Sequence, residues 1–410
     1  STACTRIDEH CKRSLRAACI LILGWYAGGA FADTSLDAAV AEVGRQLRAM
    51  PEAQAAGETA THRYHAALTS AALSVYEQSR HLDLPYFATS DGIDGRVGLV
   101  NPDNLYTSAL LADTGRYRIH GKRGTHALLS LQLLDAYPIV GLGRNLAVID
   151  LDALHVRPGQ NFELFLGGER RSGLWAALPR GTKAVLSRQT FVNWTKESPS
   201  RLSIERLDEP AEAVAPDEAS ATAGDYLLAA ARTWNLAYLP ALAKLPINQL
   251  LPPRPSDSQA GGLAGQQSVM ARFRLKPDQA LLITARKTPA RYQALQIGDP
   301  WFVTPHFIRH QVSLNQSQAT TDPDGFIRYI VSASDPGLHN WVDTAGNSEG
   351  YIFMRWQGLG RELKQDEWPK AELVEIADLK SHLPPTTLQA SREDRSTQRR
   401  ARLVSPLRQR

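Results

Sequence analysis

Two histidines and an aspartate in the C-terminal half of the chain are the side chains best suited to chemistry. His306 and His310 lie four residues apart, and Asp343 follows in the polar segment from Asn340 to Thr344. Imidazole and carboxylate groups are common general acids and bases in enzymes. We therefore predict acid/base catalysis by Asp343, with His306 or His310 as the alternative catalytic group.

The residues around these side chains suit the binding of a small organic molecule. Binding pockets are mostly apolar and carry a few convergent polar groups. In the predicted pocket Arg309 would hold an anionic group, while Tyr106 and Trp341 would shape the wall. The full set of predicted ligand-binding residues is Asn104, Tyr106, Trp301, Arg309, Asn315, Asn340, Trp341 and Thr344.

Each of these segments also has a plainer structural interpretation. Asn and Asp residues on either side of Pro102 are typical of turns. Asp343 and Thr344, which precede a glycine closely, could cap a short element. The two histidines could equally be structural or surface residues. The sequence leaves both interpretations open.

The sequence does not point to a cofactor. His306 and His310 could share a metal ion if they lay on one side of a helical turn. No third ligand follows at a recognised spacing, so we predict no metal site and keep a divalent cation as an open alternative. The chain also lacks a nucleotide-binding glycine motif, a phosphate-binding loop, a calcium-binding loop and a serine elbow.

The positive charge of the chain lies at its two ends. The formal net charge is +4, but residues 391–410 hold seven Arg against two acidic residues, and residues 1–32 hold four basic residues against two acidic ones. The chain between these ends is therefore slightly acidic. A nucleic-acid-binding protein would carry a basic face on its folded part. We therefore predict no nucleic-acid partner.

Residues 1–32 have the pattern of a secretory signal peptide. Basic residues precede an apolar run that closes on Ala-Phe-Ala at Ala32. The run is too short for a membrane span, so we predict cleavage after Ala32, a periplasmic or secreted protein, and no transmembrane span after cleavage. All three cysteines of the chain fall in this segment. The predicted mature chain therefore has neither disulfides nor thiol chemistry.

The rest of the chain predicts a mainly β fold with helical additions. Residues 33–84 show apolar residues at helical spacing, and residues 208–270 contain a helical stretch and a Pro/Gly-rich loop. Residues 85–207 and 271–380 show short apolar stretches separated by Gly, Pro, Asn and Asp, which is typical of antiparallel strands. The two β halves fit one continuous sandwich with strands from both, or two stacked ones. We predict the single jelly-roll-like β-sandwich, with N-terminal helices, a helical insert, and a basic tail over 381–410 that is an exposed helix or disordered.

Three stretches carry a family resemblance. They are NPDNLYTSALLADTGRYRIH, SLNQSQATTDPDGF and VSASDPGLHNWVDTAGNSEGYIFMRW, of which NPDN and NWVDTAG are the specific parts. Over roughly residues 95–375 the chain resembles the bacterial family called domain of unknown function 1214, which often shares a chain with domain of unknown function 1254. The resemblance implies a predominantly β-sandwich fold with N-terminal helices and a helical insert. The family has no general assigned reaction, so no catalytic residue is carried over.

The chain departs from the family pattern at two places. The segment from Pro305 to His310 lacks the acidic and tyrosyl character expected there, and Asn193 precedes Trp194 where an Asp is common. If a family site includes these positions, its chemistry is altered in this chain.

We predict an exported enzyme that acts on an uncharged or weakly anionic small organic molecule by acid/base chemistry. The alternative is a non-catalytic envelope protein that binds a carbohydrate or an apolar ligand. A third interpretation is a structural partner in an assembly, in which the Arg-rich tail contacts anionic lipid or another protein. A homo-oligomer is compatible with each of them.

Overall fold

In the computed structural model of this protein, residues 34–89, 97–208, 220–258 and 262–405 are described. The predicted signal peptide, residues 1–32, lies outside these ranges. The helices are α1 (Leu36–Ala49), α2 (Pro51–Ala56), α3 (Glu58–Ser79), α4 (Ala223–Ala231), α5 (Leu239–Leu242) and α6 (Arg392–Leu403), with a π-helical turn over Arg232–Tyr238 and 3₁₀ turns over Gln365–Glu367 and Ile376–His382. None of the helices within the described ranges is long and apolar enough to cross a membrane.

Most of the regular structure is strand. The strands are β1 (Asn104–Leu110), β2 (Tyr117–Lys122), β3 (Leu128–Leu134), β4 (Asn145–Asp150), β5 (Asn161–Leu166), β6 (Leu174–Ala176), β7 (Ala184–Thr190), β8 (Arg201–Arg206), β9 (Arg254–Pro255), β10 (Gln266–Arg274), β11 (Gln279–Arg286), β12 (Tyr292–Gly298), β13 (Ser313–Asn315), β14 (Phe326–Ser332), β15 (Trp341–Asp343), β16 (Glu349–Gln357) and β17 (Lys370–Glu375). The predicted fold class, mainly β with helical additions, is therefore confirmed.

The first β half forms two sheets that share one core. Their strand orders are β1-β7-β3-β4 and β6-β5-β2-β8. In β5, Phe162, Leu164 and Leu166 are buried while Asn161 and Glu163 are exposed. This alternation is that of a strand with one face on a core and the other in water. Apolar residues of both sheets join in a single cluster, so this half is a sandwich by itself.

The second β half also forms two sheets, ordered β13-β12-β16-β10-β9 and β15-β14-β11-β17. Every residue of β12 is buried. Leu295 and Ile297 lie on one face of β12 and belong to the apolar core of this half. Gln296 lies on the other face and donates to the carbonyl of Leu99, at 3.3 Å, in the first half. Strand β12 therefore lies at the junction of the two halves.

The strand pairing differs from the single sandwich predicted from the sequence. Among the described strands, no sheet combines strands of residues 85–207 with strands of residues 271–380. Strand β9 and the first residues of β10 come from the predicted insert and join a sheet of the second half. Pairing within a half closes shorter loops, which costs less chain entropy than pairing across the helical insert. An isolated bridge between Val97 and Val303 does join the halves. The jelly-roll connectivity stays a prediction.

The helices form a further layer that packs on both β halves. Helices α1, α3 and α4 share one apolar cluster with residues of both halves. Thr222 caps α4 with a capping box, in which its hydroxyl accepts from the Asp225 amide and the Asp225 carboxylate accepts from the Thr222 amide. The same carboxylate accepts from the Thr34 amide at 3.2 Å. The insert is thereby held to the start of α1.

Candidate functional site

His310 and Asp343, which the sequence predicted as alternative catalytic groups, form a hydrogen-bonded pair. His310 Nδ1 lies 2.8 Å from Asp343 Oδ2, although the residues are separated by 33 positions. The His310 side chain is 41% exposed, and that of Asp343 is 14% exposed. We call these two residues the dyad. Because Nδ1 faces the carboxylate, Nε2 is the imidazole nitrogen that remains for a substrate.

The backbone holds both members of the dyad in place. His310 ends a turn in which its amide donates to the His306 carbonyl at 3.0 Å. Asp343 ends strand β15, and its second carboxylate oxygen accepts from the Ala345 amide at 2.7 Å. Ala345 has a φ of 54°, a left-handed conformation that is uncommon for a residue with a Cβ. This conformation presents the amide of Ala345 to the carboxylate.

The C-terminal helix α6 supports the dyad through Gln311. Arg402 of α6 is 6% exposed and donates to Gln311 Oε1 at 2.8 Å. The Gln311 amide nitrogen donates to the Trp341 carbonyl at 2.6 Å, and the Gln311 carbonyl accepts from the Asp343 amide at 2.9 Å. Burial lowers the pKa of Arg402 to about 10, while the charges of Asp103 and Asp343 oppose this effect. Arg402 is therefore a buried cation at neutral pH.

A second arginine fixes α6 to the loop before β15. Arg395 donates to both carboxylate oxygens of Asp335 at 2.8 Å and lies over the Trp341 ring, 5.2 Å from its centroid. The predicted basic tail is thus a docked helix over Arg392–Leu403 rather than a wholly exposed segment. The predicted wall residue Trp341 is half-buried and carries Arg395 on its ring.

A buried polar cluster lies at the junction of the β halves and is centred on Asp103. This carboxylate is 0% exposed. One oxygen accepts from Trp194 Nε1 at 2.6 Å and from Asn315 Nδ2 at 2.9 Å. The other accepts from the Tyr292 hydroxyl at 2.6 Å. Burial, and then the charge of Asp103, raise the pKa of Tyr292 well above its ordinary value, which keeps this hydroxyl a donor.

Arg355 extends the cluster toward the first β half. It is 6% exposed, donates to the Leu99 carbonyl at 3.2 Å and to the Gln296 side chain, and lies 3.7 Å above the Phe353 ring centroid. Burial lowers its pKa, and the nearby tyrosines and Asp103 partly offset this. Asp103, Tyr292 and Arg355 were not among the predicted site residues. Asp103 stands inside the NPDN motif, which was the available signal.

Three predicted ligand-binding residues belong to this cluster and not to the dyad. Asn104 is 1% exposed and donates to the Tyr106 hydroxyl at 2.9 Å. Asn315 is 0% exposed and, besides Asp103, donates to the Val192 carbonyl at 3.0 Å. The side-chain amides of Asn104 and Asn315 already form hydrogen bonds within the protein, so in this structure they stabilise the buried cluster.

The other predicted site residues are dispersed. Trp301 is 1% exposed in the helical core, where it stacks on Tyr64 with ring centroids 4.7 Å apart. Asn340 binds the backbone of Thr320 through both side-chain atoms. Thr344 is 0% exposed, and its hydroxyl has no hydrogen-bond partner in the described part of the chain.

The turn before the dyad carries two further predicted residues. His306 accepts from the Arg309 amide at 3.3 Å through Nδ1, and Arg309 is exposed beside His310. Within the described ranges, no group of three or more His, Cys, Asp or Glu side chains could hold a metal ion. Of the predicted catalytic residues, the structure brings His310 and Asp343 into contact. Arg309 is exposed and adjacent to His310 in the chain.

Proteins similar to this chain were found among solved structures, but not among family models or curated proteins. No protein-family model matches the chain, and no curated protein matches it. The structure is similar to the crystal structure of an uncharacterized protein from Burkholderia cenocepacia, with 26% identity and a TM-score of 0.72 over 83% of this chain and 95% of that chain. A protein from Vibrio parahaemolyticus matches with 12% identity and a TM-score of 0.47 over 82% of this chain and 100% of that chain. The chain therefore shares the mainly β fold of the Burkholderia protein.

Proposed function

We propose that this protein is an enzyme that moves a proton on a small organic molecule, with His310 as the general acid/base and Asp343 as the residue that orients it. The observation that carries the proposal is the 2.8 Å contact between His310 Nδ1 and Asp343 Oδ2, combined with an imidazole that is 41% exposed. Sequence reasoning treated the two residues as alternatives, whereas the geometry favours joint action.

The chemistry follows from the direction of the hydrogen bond. A carboxylate can only accept, so Nδ1 of His310 carries the proton and Nε2 carries a lone pair. Nε2 would take a proton from a C–H or O–H group of the substrate, and the Asp343 carboxylate would stabilise the resulting imidazolium. The same nitrogen would return the proton to the product or to the leaving group.

The substrate class rests on the charges around the dyad. Arg309 is adjacent to His310 in the chain and exposed, so it would bind a weakly anionic group. We further propose that the protein is exported, on the pattern of residues 1–32, and that it is a relative of the domain of unknown function 1214 family, on the NPDN and NWVDTAG motifs.

Asp343→Asn separates an enzyme from a binding protein. The wild type would be incubated with a panel of small hydroxy acids, oxo acids, esters and neutral alcohols, and NMR would record any chemical change. We expect at least one panel member to be turned over, and Asp343→Asn to lower its kcat by at least about tenfold while the dissociation constant stays within about threefold, because the loss is one of orientation and charge in the transition state.

The control for this variant is Asp366→Asn, which alters an exposed carboxylate in a 3₁₀ turn. Asp366→Asn should leave both kcat and the dissociation constant unchanged. Panel members that bind but are never converted would support the non-catalytic binding protein instead. Equal loss of binding and turnover in Asp343→Asn would contradict the orienting role of Asp343.

A further inference from the structure

A cavity between helices α1 and α3 lies on a different part of the molecule from the dyad. It encloses roughly 690 Å³, a volume within the range of small-molecule pockets. Val40, Leu47 and Ala53 give it apolar walls, and Arg48 and His65 are among its polar lining residues. The cavity therefore combines apolar surface with nitrogen donors.

Gly44 brings the two nitrogen-bearing groups together. A Cβ placed on Gly44 would lie 3.3 Å from His65 Cε1 and 3.4 Å from a terminal guanidinium nitrogen of Arg48. The imidazole and the guanidinium therefore approach the same point on α1, where the glycine leaves room for them. His65 Nε2 is buried and has no hydrogen-bond partner among the described residues. Because Nε2 is covered by protein, the ring edge nearest Gly44 is the one that carries Cε1 and Nδ1.

The charges of the cavity are not balanced at this point. Arg45 is paired with Glu42, and His62 lies 3.9 Å from Glu58. For Arg48, no ion pair is formed with any carboxylate in the described part of the chain. Burial, and then the charges of His62 and Arg48, lower the pKa of His65. The carboxylate that lines the same cavity is that of Glu58, beside His62.

We propose that this cavity is a binding site for an organic anion with an apolar body, such as a short-chain carboxylate. The carboxylate would lie beside the edge of the His65 ring that faces Gly44 and pair with the Arg48 guanidinium. The alkyl part would cover Val40, Leu47 and Ala53. This site is independent of the proposed reaction at His310.

Hexanoate is the probe, with hexan-1-ol and inorganic phosphate as comparisons that lack the charge and the apolar body respectively. We expect saturable binding of hexanoate by calorimetry, with matching changes in the His65 ring signals by NMR. Hexanol and phosphate should each bind at least tenfold more weakly. Phosphate binding as tight as hexanoate would overturn the apolar part of the proposal, and absence of saturable hexanoate binding would overturn it entirely.

Gly44→Ala and Arg48→Met are the informative variants. The added methyl of Gly44→Ala narrows the space between His65 and Arg48, so hexanoate affinity should fall at least tenfold. The same change removes a glycine from the helix interior, so Tm should stay the same or rise. Arg48→Met should also weaken hexanoate at least tenfold, whereas Arg63→Met, an exposed α3 residue outside the cavity lining, should not. Unchanged hexanoate affinity in both cavity variants would refute the site.

Discussion

Replacing His310 by glutamine is expected to lower kcat/KM for a panel substrate by about 10² to 10⁴-fold, the usual contribution of a general acid/base. A glutamine can still donate to Asp343, but it has no nitrogen that takes up a proton near neutral pH. The His310 side chain is 41% exposed, so the fold should tolerate the change. Steady-state kinetics, with circular dichroism to verify the fold, measure this effect.

His306→Gln provides the matched control in the same turn. His306 accepts from the Arg309 amide and has no part in the dyad, so its replacement should change kcat/KM by no more than about threefold. An equal loss in both variants would mean that the turn, and not the imidazole of His310, matters. Full activity of His310→Gln would exclude this residue as the acid/base.

Replacing Asp103 by alanine is expected to lower the free energy of unfolding by about 2 kcal/mol or more, because each buried donor left without a partner costs about 1–3 kcal/mol. The Trp194 indole would lose its acceptor, whereas Asn315 and Tyr292 keep a second one, the Val192 carbonyl and the Asn101 side chain respectively. The buried cation Arg355 would also lose a compensating negative charge. Urea unfolding of the variant and the wild type measures the difference.

Asp103→Asn and Asp278→Ala complete this experiment. Asp103→Asn keeps one acceptor oxygen, so it should lower the free energy of unfolding by less than Asp103→Ala. It can therefore be measured even if Asp103→Ala fails to fold. Asp278 is exposed, and its truncation should stay within about 0.5 kcal/mol of the wild type, as is usual at surface positions. A loss below about 1 kcal/mol in Asp103→Ala would show that the cluster contributes little to stability.

Strand positions could be predicted from the sequence because they depend on local patterns. Residues 271–380, for which the sequence predicts strands, contain among others the observed strands Gln279–Arg286 and Tyr292–Gly298. Which strands pair is not a local property. The sequence therefore left open one sandwich with strands from both halves or two stacked ones, and in the described chain no sheet combines strands of the two halves.

The candidate site was predicted in part. Asp343 and His310 were identified by their chemistry, but their pairing requires β15 to lie beside the turn that ends at His310, which no sequence spacing reveals. Asn104 and Asn315 were taken as ligand-binding residues because amides bind ligands. Side-chain amides also donate hydrogen bonds to buried carboxylates and hydroxyls. The sequence does not show whether a given amide faces a ligand or a buried group of the protein.

The C-terminal tail was predicted as an exposed helix or a disordered segment, and what the sequence did not show is that the helix is docked through its arginines. Seven arginines in residues 391–410 indicated a solvated segment. Arg395, Gln398 and Arg402 nevertheless lie on one face at helical spacing, and Arg395 and Arg402 bind Asp335 and Gln311 respectively. Arginine can be buried when its donors are satisfied, so composition alone was a poor guide here.

The tautomer of His310 decides whether this residue can act as the proposed general acid/base, and it can be measured without a substrate. We expect ¹⁵N NMR of the neutral ring to show a proton on Nδ1 and none on Nε2, because Nδ1 lies 2.8 Å from the Asp343 carboxylate oxygen Oδ2. The signals would be assigned by their loss in His310→Gln. A neutral His310 that carries its proton on Nε2 would refute the proposed role, since no lone pair would then be available to a substrate.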